Sequence, residues 1–281
     1  MEKKLTIFYV VGGEEHHYVN LQRSLRSLKE RMNIAHEIVV LEIGTKLVSN
    51  NMFRVVNEPE LIDFSMNEKV GFKFWQQKYR IAEFLTTQYG LYLDTDTVLV
   101  QDVFEDIFET IGEYFGVASH FWVPTFKEYG RKAVPLRNKM TYFALKRKLG
   151  IKRSDPFFAG GAFIFKNTEK NREILNEVST VYDAIYPRSS SYVRGITDEV
   201  FFSALLQKHD HYVDLGGAFN HSCMGDTFMP LKIDNDSVYG KNVHDAEFKK
   251  VVLFHCDVSR RDPTEKYSGR VKEIIKKLWF L

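Results

Sequence analysis

Cysteine is scarce. The 281 residues hold two, Cys223 and Cys256, too few for a disulfide scaffold, which points to reduced thiols in a cytosolic protein. A surplus of one charge is missing as well. The 39 Lys and Arg against 37 Asp and Glu leave a net +2, which gives no global field that demands nucleic acid or an acidic membrane. No apolar stretch approaches the roughly 20 residues of a membrane helix. The N-terminal apolar run ends in Gly12-Gly13-Glu14-Glu15 instead of a small-residue cleavage site, so it reads as a first strand and not a signal peptide. There is no internal repeat, and no linker long enough to separate domains.

Aromatic residues are plentiful, with 23 Phe and 14 Tyr. Rings fill cores, and they also make platforms for sugars and bases. Leu5–Val11 is a continuous apolar run of strand length, as in a buried parallel strand. Leu21, Leu25 and Leu28 follow at helical spacing, and Glu37–Leu41 is a second strand, a β-α-β opening. Trp75–Thr87 reads as a helix with Ile81, Phe84 and Leu85 on one face, leading into the short strand Leu91-Tyr92-Leu93. Val103, Ile107 and Phe108 suggest another helix, and Gly116–Ser119 another strand. Such alternation is that of a doubly wound α/β sheet.

The stretch from Phe121 to Asp155 differs: it is rich in Lys and Arg, contains Pro124 and Pro135, and reads as a partly helical insertion. Phe157–Phe165 is a Gly160-Gly161 turn feeding a strand, Glu169–Ile185 a helix, Pro187–Gly195 a loop and Asp198–Gln207 a short helix. Val251–Phe254 is a late strand ending at His255, and Val271–Phe280 a basic amphipathic helix. That last helix could dock on the core or lie on an anionic membrane.

The central observation is that the strand Leu91–Leu93 stops at Asp94-Thr95-Asp96. Ligands of an open α/β sheet bind beyond the carboxyl ends of its strands. Two carboxylates one residue apart there suit Mg²⁺ or Mn²⁺, and such a cation can stabilise a diphosphate as leaving group. Taken alone, a bare D-x-D is more often a pair of acids in a solvated turn.

With these motifs the chain resembles the GT-A-fold retaining glycosyltransferases, above all family 8, which includes glycogenin and lipopolysaccharide galactosyltransferases. The resemblance implies a Rossmann-like domain over residues 1–281, with a mixed, mainly parallel sheet flanked by helices. Residues 1–120 would form the nucleotide-binding half, 121–265 the sugar and acceptor half, and 266–281 the C-terminal helix. Asp94, Asp96 and His255 would hold Mn²⁺ or Mg²⁺, with Thr95 between the carboxylates. Lys78, 16 residues before Asp94, would reach the donor, with Arg80 as the other candidate, and Arg261, six residues after His255, would meet the diphosphate. His255–Arg261 lacks the family's Gly and its Lys-Pro-Trp. Gly160 and Gly161 would approach the donor sugar, and Tyr9, Val10, Val11 and Tyr18 at the end of the first strand would line the base pocket. Ala159 stands where family 8 has Asn, and Asp198-Glu199 resembles the family 6 arrangement. By analogy with retaining glycosidases, Glu199 would stabilise or attack the oxocarbenium-like centre while Asp198 binds sugar hydroxyls.

The expected reaction is transfer of a hexose from a UDP-sugar to a glycan or glycolipid acceptor, with retention, in the cytoplasm or at the inner face of a membrane. Two alternatives stand beside it. Leu91–Val98 also satisfies the D-x-D-x-V motif of haloacid-dehalogenase-type phosphatases, although 93 residues precede Asp94 and Gly225-Asp226 lacks the spaced downstream Asp. The other is a non-catalytic nucleotide-sugar-binding protein.

Overall fold

The computed structural model describes residues 4–62, 70–120, 123–185, 197–222, 230–234, 237–241 and 245–255, with positions 269, 272, 273 and 276 beyond them. The strands are β1 (Leu5–Gly12), β2 (His36–Ile43), β3 (Arg54–Asn57), β4 (Tyr89–Leu93), β5 (Thr97–Leu99), β6 (Phe115–Val117), β7 (Ala162–Lys166), β8 (Tyr212–Asp214), β9 (Asn220–Ser222), β10 (Leu231–Asp234), β11 (Ser237–Gly240), β12 (Lys249–Lys250) and β13 (Leu253–His255). The helices are α1 (Glu15–Arg31), α2 (Val70–Gln76), α3 (Ile81–Phe84), α4 (Phe104–Ile111), α5 (Phe126–Lys132), α6 (Lys139–Lys148), α7 (Glu169–Ile185) and α8 (Asp198–His209).

The central sheet has seven strands in the order β3-β2-β1-β4-β7-β6-β8. It is parallel except where β7 runs against both β4 and β6. This is the mixed, mainly parallel α/β architecture that the resemblance implies, and the alternating apolar runs supply its strands and helices. Side chains alternate across the sheet, so β1 feeds two cores. Leu5, Ile7, Tyr9 and Val11 join α1 and α4 on one face, and Phe8 and Val10 join the core of α7 and α8 on the other. The α4 side chains Phe104, Ile107, Phe108 and Ile111 recur at three- and four-residue spacing, and all are buried.

The expected helix Trp75–Thr87 is broken. α2 ends at Gln76, residues Gln77–Arg80 form one 3₁₀ turn, α3 lasts only to Phe84, and Leu85 is already extended. Positions 78 and 80, two apart, face different ways in either winding. Lys78 and Tyr79 are buried, while the Arg80 guanidinium turns away to Glu58 and Glu83.

The basic insertion is helical where expected. Thr125 begins α5 by accepting the Glu128 N–H on its hydroxyl oxygen at 3.3 Å, which satisfies one of the open N–H groups of the first turn. The region between Tyr212 and Lys250 shows no strand signal in the sequence, yet it supplies β8 to β12. β9, β13 and β5 form a small sheet that sets His255 opposite Thr97. The loop Pro187–Gly195, both cysteines, Gly225-Asp226, Arg261 and nearly all of the C-terminal helix lie outside the described residues. No helix among the described residues is long and apolar enough to cross a membrane.

Candidate functional site

A cavity of about 810 Å³ opens where β1 and β4 end, the position an open α/β sheet reserves for ligands. Asp94 follows β4 directly. Its N–H donates to the Gly161 carbonyl at 2.8 Å, and its carbonyl receives the Thr97 N–H at 3.1 Å. The turn is thereby tied to the start of β7 and carries Asp96 back toward β5. The pairing of β13 with β5 then delivers His255. His255 Nε2 lies 3.0 Å from Asp96 Oδ1 and 3.7 Å from Asp94 Oδ2. One ligand atom from each residue falls within 4.8 Å of the others. Two carboxylates and an imidazole are a mixed oxygen and nitrogen donor set, which fits Mn²⁺ well and Mg²⁺ less well.

The electrostatics agree with a cation site. Burial alone would lower the His255 pKa, but Asp96 and then Asp94 outweigh it and raise it to about 9. Burial would likewise raise Asp96, and the His255 charge holds it below the ordinary carboxylate range. A proton shared among three converging ligands marks the place where a divalent cation competes with it. The Tyr92 hydroxyl donates to Asp94 Oδ1 and steadies that carboxylate from below.

Gly161 makes room for this cluster. A Cβ there would lie 2.5 Å from His255 Cε1 and 3.0 Å from Asp94 Oδ2. Gly161→Ala is therefore expected to push the imidazole off its position. Mn²⁺ affinity, read by calorimetric titration, should fall about 10- to 100-fold while the melting temperature holds. Unchanged affinity would mean that His255 is not held by this contact.

Next to the triad lies a second cluster. The Lys78 ammonium meets Asp198 Oδ2 at 2.9 Å, with the two side chains 6% and 5% exposed, and donates to the Gly160 carbonyl at 3.0 Å. The Tyr79 hydroxyl donates to the same Asp198 oxygen at 2.9 Å. Burial opposes the Lys78 charge, but Asp198 and Asp94 outweigh it and hold its pKa above the usual value. Glu199 Oε1 accepts the Gly160 N–H at 2.8 Å. Its pKa is pushed up to about 7, first by burial and then by the Asp198 charge. Asp198 and Glu199 open α8, where the helix N-terminus favours acids. A Cβ on Gly160 would sit 2.9 Å from Glu199 Cγ and 3.2 Å from Lys78 Nζ, so glycine admits all three groups.

Removing the cation from this buried pair leaves Asp198 uncompensated. Lys78→Met should cost about 3 kcal/mol, at the low end for such a deletion because the Tyr79 hydroxyl remains. The loss is read by urea unfolding. A loss below about 1 kcal/mol at neutral pH would mean that the pair is already solvated.

Of the residues singled out from sequence, Lys78, Asp94, Thr95, Asp96, Gly161, Asp198, Glu199 and His255 all line the cavity, and Gly160 packs directly behind it. Tyr9, Val11, Tyr18 and Arg80 do not reach it. Tyr9 and Val11 point to the opposite face of β1, and the Tyr9 hydroxyl pairs with Ser24 Oγ at 2.6 Å under α1. Tyr18 is buried, with its hydroxyl donating to Glu42 Oε1 at 3.0 Å. Arg80 is neutralised by Glu58 and Glu83. Of the four residues expected at the base pocket it is Val10 that lines the cavity, beside His16, His17, Phe74 and Trp75. The His16-His17 pair could have been found from sequence, since it stands in the first turn of the helix that follows β1. His120, Asn220 and Ser222 also line the cavity, and burial together with the His255 charge lowers the His120 pKa to about 4.

No protein-family model matches the chain, and no curated protein matches it by sequence. Solved structures do. The galactosyltransferase LgtC, in complex with donor and acceptor sugar analogues, is 15% identical with a TM-score of 0.59, covering 98% of this chain and 95% of that one. The bifunctional glycosyltransferase WbbM is 11% identical with a TM-score of 0.64, over 99% of this chain and half of that one. Mouse xyloside xylosyltransferase 1 is 10% identical with a TM-score of 0.53, over 91% of this chain and 98% of that one. The fold of this chain is the GT-A fold of these glycosyltransferases.

Proposed function

We propose that the protein is a metal-dependent glycosyltransferase that moves a hexose from a UDP-sugar to a glycan or glycolipid acceptor with retention of configuration. The observation that carries this reading is the convergence of Asp94, Asp96 and His255 on the wall of a cavity that also contains the Lys78–Asp198 pair and Glu199. The shared fold of three glycosyltransferases supports sugar transfer in general.

In this reading Asp94, Asp96 and His255 hold Mn²⁺ or Mg²⁺. The cation, when bound, neutralises the diphosphate and stabilises it as leaving group. Val10, His16, His17, Phe74 and Trp75 receive the nucleoside. Lys78 orients the donor and adds positive charge beside it, and its bond to the Gly160 carbonyl fixes the turn against the sugar. Asp198 accepts from sugar hydroxyls. Glu199, held by the Gly160 N–H, presents a carboxylate to the anomeric centre as positive charge develops there.

Calorimetry with a panel of nucleotide sugars, with Mn²⁺ and with chelator, tests the donor class. Metal-dependent binding of one UDP-sugar is expected, and binding of none would remove the reading. NMR of the product anomer tests retention, and an inverted product would withdraw the role given to Glu199. The phosphatase alternative is not favoured. Asp94 and Asp96 are joined by a histidine from a distant strand, and the strand that carries them is fourth in the chain.

A further inference from the structure

The charge of the chain is unevenly placed. Residues 126–153 contain ten Lys and Arg and one Glu, a net +9. The other 253 residues contain 29 basic and 36 acidic residues, a net −7. A chain that looks nearly neutral is therefore a mildly acidic body carrying one strongly basic segment, made of α5, α6 and their connections.

That segment also exposes apolar surface. Leu136 is 82% exposed, Met140 78% and Phe143 39%, among the few large apolar side chains that face solvent. Spacings of four and three residues put them on one side of the helical stretch, while Tyr142 and Leu145 are buried on the opposite side. Arg147, four residues after Phe143, continues the stripe, and Lys127, Arg131, Lys148, Lys152 and Arg153 are exposed around it. Partial burial and then the charge of Arg153 hold the Lys146 ammonium below its ordinary pKa, as in a cluster of like charges.

We propose that the α5–α6 segment is a membrane-docking surface: its basic residues meet anionic lipid headgroups while Leu136, Met140 and Phe143 insert at the interface. A rim of cations around exposed aliphatic and aromatic side chains is what an anionic bilayer surface rewards. A soluble polyanion would use the charges but has no use for Leu136 and Met140. The segment adjoins the candidate site, since the Tyr129 hydroxyl of α5 lies 3.3 Å from Thr197 Oγ1 at the cavity wall. Docking would bring that wall close to an acceptor held at the membrane. The proposal does not depend on the transferase reading, because vesicle binding is read without turnover.

The test is flotation of the full chain with vesicles of phosphatidylcholine alone and of phosphatidylcholine mixed with phosphatidylglycerol. Binding to the mixed vesicles only is expected. Each basic residue near such a surface contributes roughly five-fold, so Arg147→Glu/Lys148→Glu should lower partitioning by at least roughly 25-fold. Leu136→Ser/Met140→Ser should lower it roughly ten-fold at constant charge. Both pairs replace exposed or solvent-facing positions, and unchanged melting temperatures would confirm intact folding. Absence of binding overturns the proposal. Vesicle binding untouched by either pair overturns it too, by placing the contact elsewhere on the chain. If the apolar pair has no effect and heparin competes fully, the surface serves a soluble polyanion and the membrane assignment fails.

Discussion

Asp96→Ala is expected to lower kcat/KM for sugar transfer by roughly a thousand-fold, the worth of several kcal/mol of charge stabilisation at the leaving diphosphate. Asp96 is the member of the triad in closest contact with His255, at 3.0 Å. Its loss removes one ligand and also the charge that positions the imidazole. Two ligands would remain, one of them His255 without its main partner. The residual rate should therefore no longer respond to added Mn²⁺, and the wild type in chelator should fall to the same level. Asp96→Asn keeps the shape and tests whether charge or fit matters. A wild type that works at full rate in chelator would remove the metal from the reaction, whatever Asp96→Ala does.

The fold was legible because its signals are local and redundant. β1, β2 and β4 are apolar runs ending in turns, and helices such as α1 and α4 show clear periodicity between them. The convergence of Asp94, Asp96 and His255 was legible for a different reason: Asp94 and Asp96 sit at a strand end, and His255 ends another apolar strand far along the chain. What could not be read was facing. A strand buried on both sides is apolar at every position, so nothing in Leu5–Val11 says whether Tyr9 or Val10 meets the cavity. The structure turns Val10 inward and gives Tyr9 to Ser24. The 3₁₀ turn at Gln77–Arg80 was equally hidden, since apolar spacing around it fits a continuous helix. Lys78 and Arg80, two apart, face different ways around it: the first is buried against Asp198 and the second reaches Glu58. β9, with the sequence Asn-His-Ser, shows no strand pattern at all, and its place comes from pairing with β13. Asn220 and Ser222 reach the cavity through that tertiary pairing.

The proposed role of Glu199 makes the sharpest use of its surroundings. With its pKa pushed up to about 7, the carboxyl is half charged near neutrality. If the carboxylate form faces the anomeric centre, kcat should climb as pH rises through about 7 and level off above it. Glu199→Gln keeps an oxygen to accept the Gly160 N–H but cannot become negative. It should lose about 100- to 1000-fold in kcat, and its remaining rate should lack the acidic limb. Stability should move the opposite way. The folded pKa is raised above the unfolded value, so Glu199 contributes stability that is fully present below the unfolded pKa and is lost as pH rises through about 7. Removing the charge should therefore stabilise the protein at pH 8 relative to pH 5, by about 1–2 kcal/mol once the water of the cavity is allowed for. Melting curves of both proteins at the two pH values read this directly. Equal shifts at both would mean that Glu199 is solvated and ordinary, and a retained acidic limb in Glu199→Gln would assign that titration to another group. A variant that is inactive yet more stable above neutrality is the signature of a buried charge kept for chemistry at a cost in folding.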